Sequence, residues 1–228
     1  MTKATEWSKM NKKKVLIPVF IAAVFLLFAL VLAFPASRDV FRTLSGTHPY
    51  VMGFIKFALL ALSGELIAVR MAKGEFSLPP YTWARFIIWG VIGVWITYMM
   101  KIFFIATGVL MEKGLLPNAE NPIFYTFLHA LYTSITMNLG FGPTFMALHK
   151  ISDTYLALRK EEKGVTLGKT VSAVDWKGFW TFTILKTVPL FWIPAHTLTF
   201  MLPEEYQVML AALLSVALGV ILNLKKRH

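Results

Sequence analysis

Six ionisable side chains, Glu65, Lys186, Lys56, Lys101, His129 and His196, stand inside long apolar stretches of this sequence. In hydrocarbon each costs several kcal/mol unless it is paired, hydrated or close to an interface, so such a residue points to function by default. Glu65 and Lys186 fall at comparable depth toward one end of their stretches, which makes an ion pair between them the first expectation. The other reading is that each snorkels to the surface. Lys56, Lys101, His129 and His196 fall toward the opposite end, where the stretches hold no acidic residue. Turned inward, they would line a basic vestibule suited to an anion or to a phosphate- or carboxylate-bearing solute. Turned outward, the lysines would reach lipid headgroups and the histidines would bond backbone carbonyls.

Other chemistry finds little support. The sequence has no His-Glu-x-x-His, no Gly-x-Ser-x-Gly elbow, no phosphate-cradling glycine loop and no paired intramembrane carboxylates. His149 and His228 are isolated, and Glu204-Glu205 follows Pro203 where carboxylates complement a helix N-terminus. The absence of cysteine removes disulfides, thiol catalysis and cysteine-based metal sites. No catalytic residue, metal site or cofactor is therefore expected, and the chain reads as no enzyme; an enzyme acting on a lipid would have no motif behind it.

The elements that must hold these groups are membrane helices. Of 228 residues 57% are hydrophobic and 15% charged, against roughly 25% charged in a soluble domain. Six stretches approach or exceed the roughly 20 residues that cross a bilayer: 15–34, 50–69, 86–111, 123–148, 179–200 and 206–224. They are too long and continuous for barrel strands. The expectation is an all-α polytopic transmembrane bundle of about six spans, one membrane domain over 1–228, with a basic segment at 1–14 and a loop at 149–178. The first run is longer than a signal-peptide core and reads as a retained helix.

Loop charge gives the orientation. With the N-terminus inside, seventeen of the 23 Lys and Arg fall in inner segments and three, Arg38, Arg42 and Lys113, in outer loops. Both termini are then cytoplasmic. The same distribution accounts for the net charge of +11 without nucleic acid, and favours anionic inner-leaflet lipids as partners. Within the spans, Ala211, Ser215 and Gly219 make a small-residue packing stripe on the last helix, and Gly90, Gly93, Gly140 and Gly142 could do similar work. Pro189 and Pro194 interrupt the fifth span, and broken helices of this kind often line cavities.

Several short motifs resemble the peroxisomal membrane protein and mitochondrial inner-membrane channel family founded on the Mpv-seventeen protein and the twenty-two-kilodalton peroxisomal protein, over roughly 52–226. Gly64-Glu65 stands where that family has Gly-Asp. Tyr81-Thr82-Trp83-Ala84-Arg85 followed by Trp89-Gly90 looks like its Arg-containing helix start, and Asn138 with Pro143 is similar to its Gln-x-x-x-x-Pro. Asp175-Trp176, Leu202-Pro203 and the small-residue last helix resemble its C-terminal signature. The departures are Val69, Trp192-Ile193-Pro194-Ala195-His196, Thr199-Phe200 and Gln207, where the family has other residues. The resemblance implies a pore or solute-permeation role for a bacterial-like member.

Together these readings give a channel or small-solute conduit, with Glu65, Lys101, His129, Asn138, Lys186 and His196 as candidate lining, and a possible small anionic solute and homo-oligomeric assembly. The alternative is a non-transporting scaffold that recruits a partner through its basic inner loop. The charge bias fits a bacterial cytoplasmic membrane, with the mitochondrial inner membrane as the alternative.

Overall fold

The computed structural model describes residues 3–225. The first helix, α1 (Lys3–Ala33), carries the longest apolar run and stops where Pro35 opens α2 (Pro35–Thr47). Pro49 in turn opens α3 (Pro49–Lys73), which closes on Gly74 in the left-handed conformation. Proline is at home in a first helical turn, where its missing N–H is not needed. Then come α4 (Thr82–Glu112), α5 (Pro122–Gly140), α6 (Gly142–Glu161), α7 (Leu167–Ser172) and α8 (Trp176–Gly178). The chain ends in a π-helix, π1 (Phe179–Trp192), followed by α9 (Ile193–Phe200) and α10 (Glu204–Lys225). Asn121 caps α5 by accepting from the N–H groups of Ile123 and Phe124, and Thr166 caps α7 through Lys169 N–H. There is no strand among the described residues.

Four helical stretches are long and apolar enough to cross a membrane: Val15–Ala33, Pro49–Lys73, Thr82–Glu112 and Glu204–Ile221. Only 17% of the first one's apolar window is buried, and Leu16, Val19, Leu26 and Leu27 stand more than half exposed along it. A face of that kind needs lipid rather than water, which is the character of a membrane protein.

Three expectations change. Residues 35–47, read as loop, form α2, an amphipathic helix that buries Phe41 and Ser45. The stretch 123–148 is two helices joined at Phe141, because Pro143 has no N–H to continue the ladder. The stretch 179–200 is helical without a gap, yet its first 14 residues are wound as a π-helix around Pro189. There Ile193 N–H bonds to Val188 O and the Thr187 hydroxyl donates to Phe182 O at 3.2 Å, each five residues back.

The chain divides into two units, with the boundary inside α4 between Thr97 and Tyr98. The first takes the sequence up to Thr97 and resumes at Glu204. In it α3 packs on α10 so closely that a Cβ added to Gly64 would lie 2.7 Å from Val216 Cγ2. It also meets α4 backbone to backbone at Gly53 and Gly93, where a Cβ on Gly93 would stand 2.6 Å from Phe57 Cβ. Small residues at such crossings let dispersion hold helices together where lipid offers no hydrophobic drive. Ile17 and Ile21 of α1 pack with Leu62 and Leu66 of α3.

The second unit runs Tyr98–Pro203. Its main packing is α5 against α9. Trp176 donates its indole N–H to Val171 O at 2.9 Å and meets Phe179 edge-on, closing the segment between α7 and π1.

The small-residue stripe on α10 is only partly engaged. Ala211 is buried and Ser215 turns its hydroxyl to Ala212 O at 2.6 Å, whereas a Cβ on Gly219 would meet nothing within 4 Å.

Candidate functional site

Polar side chains gather in three places, two in the first unit and one in the second. The first is built on Glu65 of α3. Its Oε1 accepts from Arg85 Nη1 at 2.5 Å and its Oε2 from Trp89 Nε1 at 3.1 Å. Arg85 and Trp89 lie one turn apart on α4, so one helical face delivers both donors. Arg85 also donates from Nε to Pro80 O at 3.2 Å, and Thr82 donates to Pro79 O at 2.7 Å. These bonds brace a turn in which Tyr81 holds φ at 55°, a conformation that L side chains rarely adopt. The first expectation paired Glu65 with Lys186; within its own unit the carboxylate is held by Arg85, and Lys186 is an exposed residue of π1 in the second unit. The helix α4 begins at Thr82, one turn before the apolar run, so Arg85 belongs to its first turn and reaches Glu65 from the side that the sequence assigns to a loop.

The second lies at the end of the same unit where α2 joins α1 to α3. Lys56 is 2% exposed. Its ammonium donates to Ser45 Oγ and to Glu205 O, both at 2.9 Å, and stands 4.4 Å from the centroid of the Phe41 ring. A buried ammonium needs such a shell of acceptors and ring face. Beside it Arg42 Nε donates to Glu205 Oε1 at 2.7 Å, and Asp39, Arg42, Thr43, Ser45, Gly46, Glu204 and Glu205 line an open pocket of about 450 Å³. Lys56 thus does not snorkel outward; it is sealed within the first unit. Sequence reasoning missed Ser45, Phe41 and Arg42 here, although Phe41 and Ser45 are spaced one turn apart in a segment bounded by prolines.

The third is a polar seam through the second unit. His129 Nε2 meets Phe104 O at 2.8 Å and its ring lies 4.2 Å from that of Phe104, which is the carbonyl-bonded alternative. Thr107 and Thr133 share a hydroxyl bond of 2.6 Å. Ser134 donates to Ile193 O at 2.8 Å, and so does Thr197, so the carbonyl at the π-to-α junction is held by two hydroxyls. Asn138, 3% exposed, donates to Ser134 O at 2.8 Å. Its amide also faces His196 Nδ1 with nitrogen at 3.1 Å and oxygen at 3.2 Å. The amide can therefore serve either neutral tautomer of the imidazole, whose ring lies 5.1 Å from Trp192. Lys101 is half-buried. Of the six lining candidates the structure brings Asn138 and His196 into contact, while His129, on the same helix α5, meets Phe104.

No cluster of three or more His, Cys, Asp or Glu that could hold a metal occurs among the described residues. No family model matches the chain, and no curated protein and no solved structure matches it.

Proposed function

We propose that the chain is a six-span membrane protein that forms a conduit for a small, anionic solute. The observation that carries this reading is the polar seam of the second unit. Asn138, His196, Ser134, Thr107 and Thr133 are buried together in helices that are otherwise apolar, beside a helix widened around Pro189, and π-type segments recur at functional sites. Counting α5 and the continuous 176–200 helix as spans supports six crossings with both termini cytoplasmic. With only the four most apolar helices crossing, the six Lys and Arg of 149–178 would move outside, against the positive-inside bias.

The resemblance to the Mpv-seventeen family is supported by the convergence of its quoted motif residues, for Glu65, Arg85 and Trp89 meet in one cluster. A cytoplasmic membrane of bacterial type, or the mitochondrial inner membrane, is the corresponding location. Purified protein in liposomes should pass small anions, and Asn138→Leu, His196→Leu and Lys101→Ala should reduce that flux. Absence of flux over a broad solute panel would overturn the reading.

A second reading, a non-transporting scaffold, is favoured by the exposed basic stretch formed by Arg159, Lys160, Lys163 and Lys169. Deleting 159–169 would then abolish function while leaving the membrane helices folded. No step in either reading is enzymatic.

A further inference from the structure

The pocket between α2 and the start of α10 presents charges of both signs on a helix that touches membrane-length helices at each end. Asp39, Arg42, Thr43 and Gly46 follow one another at helical spacing on a single face of α2, and α10 adds Glu204 and Glu205. Part of its donor set is unspent. Arg42 uses Nε on Glu205, and its two Nη groups bond nothing else among the described residues. Ser45, 7% exposed in the pocket wall, accepts from Lys56. An ammonium can only donate, so the Ser45 hydroxyl keeps its own proton for a ligand. Thr43 supplies another hydroxyl.

The carboxylates oppose a simple anion, and Arg42 with the Lys56 charge behind Ser45 opposes a simple cation. A ligand carrying both charges satisfies both sets. The volume of about 450 Å³ lies within the range of small-molecule sites, roughly 300–1,000 Å³. Next to this polar face, Val40 and Leu44 stand exposed one turn apart, so α2 is polar on one side and apolar on the other, as a helix lying at a membrane surface is.

We infer that this pocket binds a zwitterion with an ammonium beside a phosphate, the chemistry shared by an ethanolamine phospholipid headgroup and free phosphoethanolamine. The phosphate takes Arg42 Nη, Ser45 and Thr43, and the ammonium takes Asp39 and Glu205 Oε2, whose Oε1 stays on Arg42 Nε. This site is independent of any flux through the second unit.

The test is a titration of the purified full-length protein in detergent with short-chain phosphatidylethanolamine, followed by the shift in Tm. Phosphatidylglycerol, which lacks the ammonium, and free phosphoethanolamine are titrated in parallel. Saturable binding of the ethanolamine lipid is expected, weakened about tenfold in Asp39→Asn and in Arg42→Gln, since each removes one charge-assisted bond. Both side chains are exposed, so neither variant threatens the fold. Phosphatidylglycerol should bind at least about tenfold more weakly. If free phosphoethanolamine binds with the same dependence on Asp39 and Arg42, the site holds and takes the soluble compound; if only the lipid binds so, it takes the headgroup. Equal binding of both lipids, or affinity unchanged in both variants, overturns the inference.

Discussion

A carboxylate one-fifth exposed, with a guanidinium at 2.5 Å, cannot lose that guanidinium cheaply. Arg85→Ala takes the countercharge from Glu65, leaving the Trp89 indole on its Oε2, and leaves Pro80 O without the Arg85 donor, so a loss of about 3–5 kcal/mol is expected. Glu65→Gln keeps an acceptor for Trp89 and should cost less; Tm values in one detergent compare them, and equal small losses would show that the pair contributes little. Asn138 and His196 invite a double-mutant cycle. Each single change to Leu leaves a buried polar atom without its partner, while the double change removes both, so a coupling of about 1 kcal/mol is expected. The cost of an intramembrane charge drew attention to Glu65, Lys56, His129 and His196 from sequence alone. Their partners stayed hidden because Arg85 looks like a loop charge when helix boundaries are set by the apolar run, and because Ser45 and Phe41 sit in a segment too polar to be counted as a helix. The spacing of Arg85 and Trp89 was the readable clue.

Helix contacts depend on where the backbone comes close. At Gly93 an added methyl would press on Gly53 O and Phe57 Cβ, and backbone cannot step aside, so Gly93→Ala should destabilise by about 1–3 kcal/mol. Gly219→Ala meets open space and should be neutral or stabilising by up to about 1 kcal/mol through helix propensity. Thermal unfolding of the two variants against the parent protein checks the contrast. A stripe of small residues on α10 was legible, but which of its members touches a neighbour was not, since spacing cannot say how a helix is rotated. Pro35, Pro49 and Pro143 each stand in the first turn of a helix, and boundaries drawn from the apolar runs alone pass over the starts at Pro35 and Pro143. The π winding had no readable signal beyond Pro189, because five-back bonding depends on what the widened turn packs against.

For the molecule as a whole, composition established an all-helical membrane chain, while the number of crossings rests on α5 and the 176–200 helix, which are less apolar than the rest. The lack of native cysteine makes this measurable. In intact vesicles, a cysteine at Leu167 should react with an impermeant maleimide from the same side as one at Glu75, and cysteines at Thr47 and Leu115 from the opposite side. Leu167 reacting from the side of Leu115 would leave only four crossings.

The division of the chain also sets an order of manufacture. The second unit is one uninterrupted segment, Tyr98–Pro203, whereas the first needs α10, which is made only after the whole of the second. Until it arrives, Lys56 has Ser45 and Phe41 but not the Glu205 carbonyl, and Gly64 faces no Val216. The part begun first is therefore completed only after the second, and quality control at the membrane has a clear mark to read. A nascent chain stopped at Pro203 should be cleared faster than the whole protein, with its first unit as the vulnerable half.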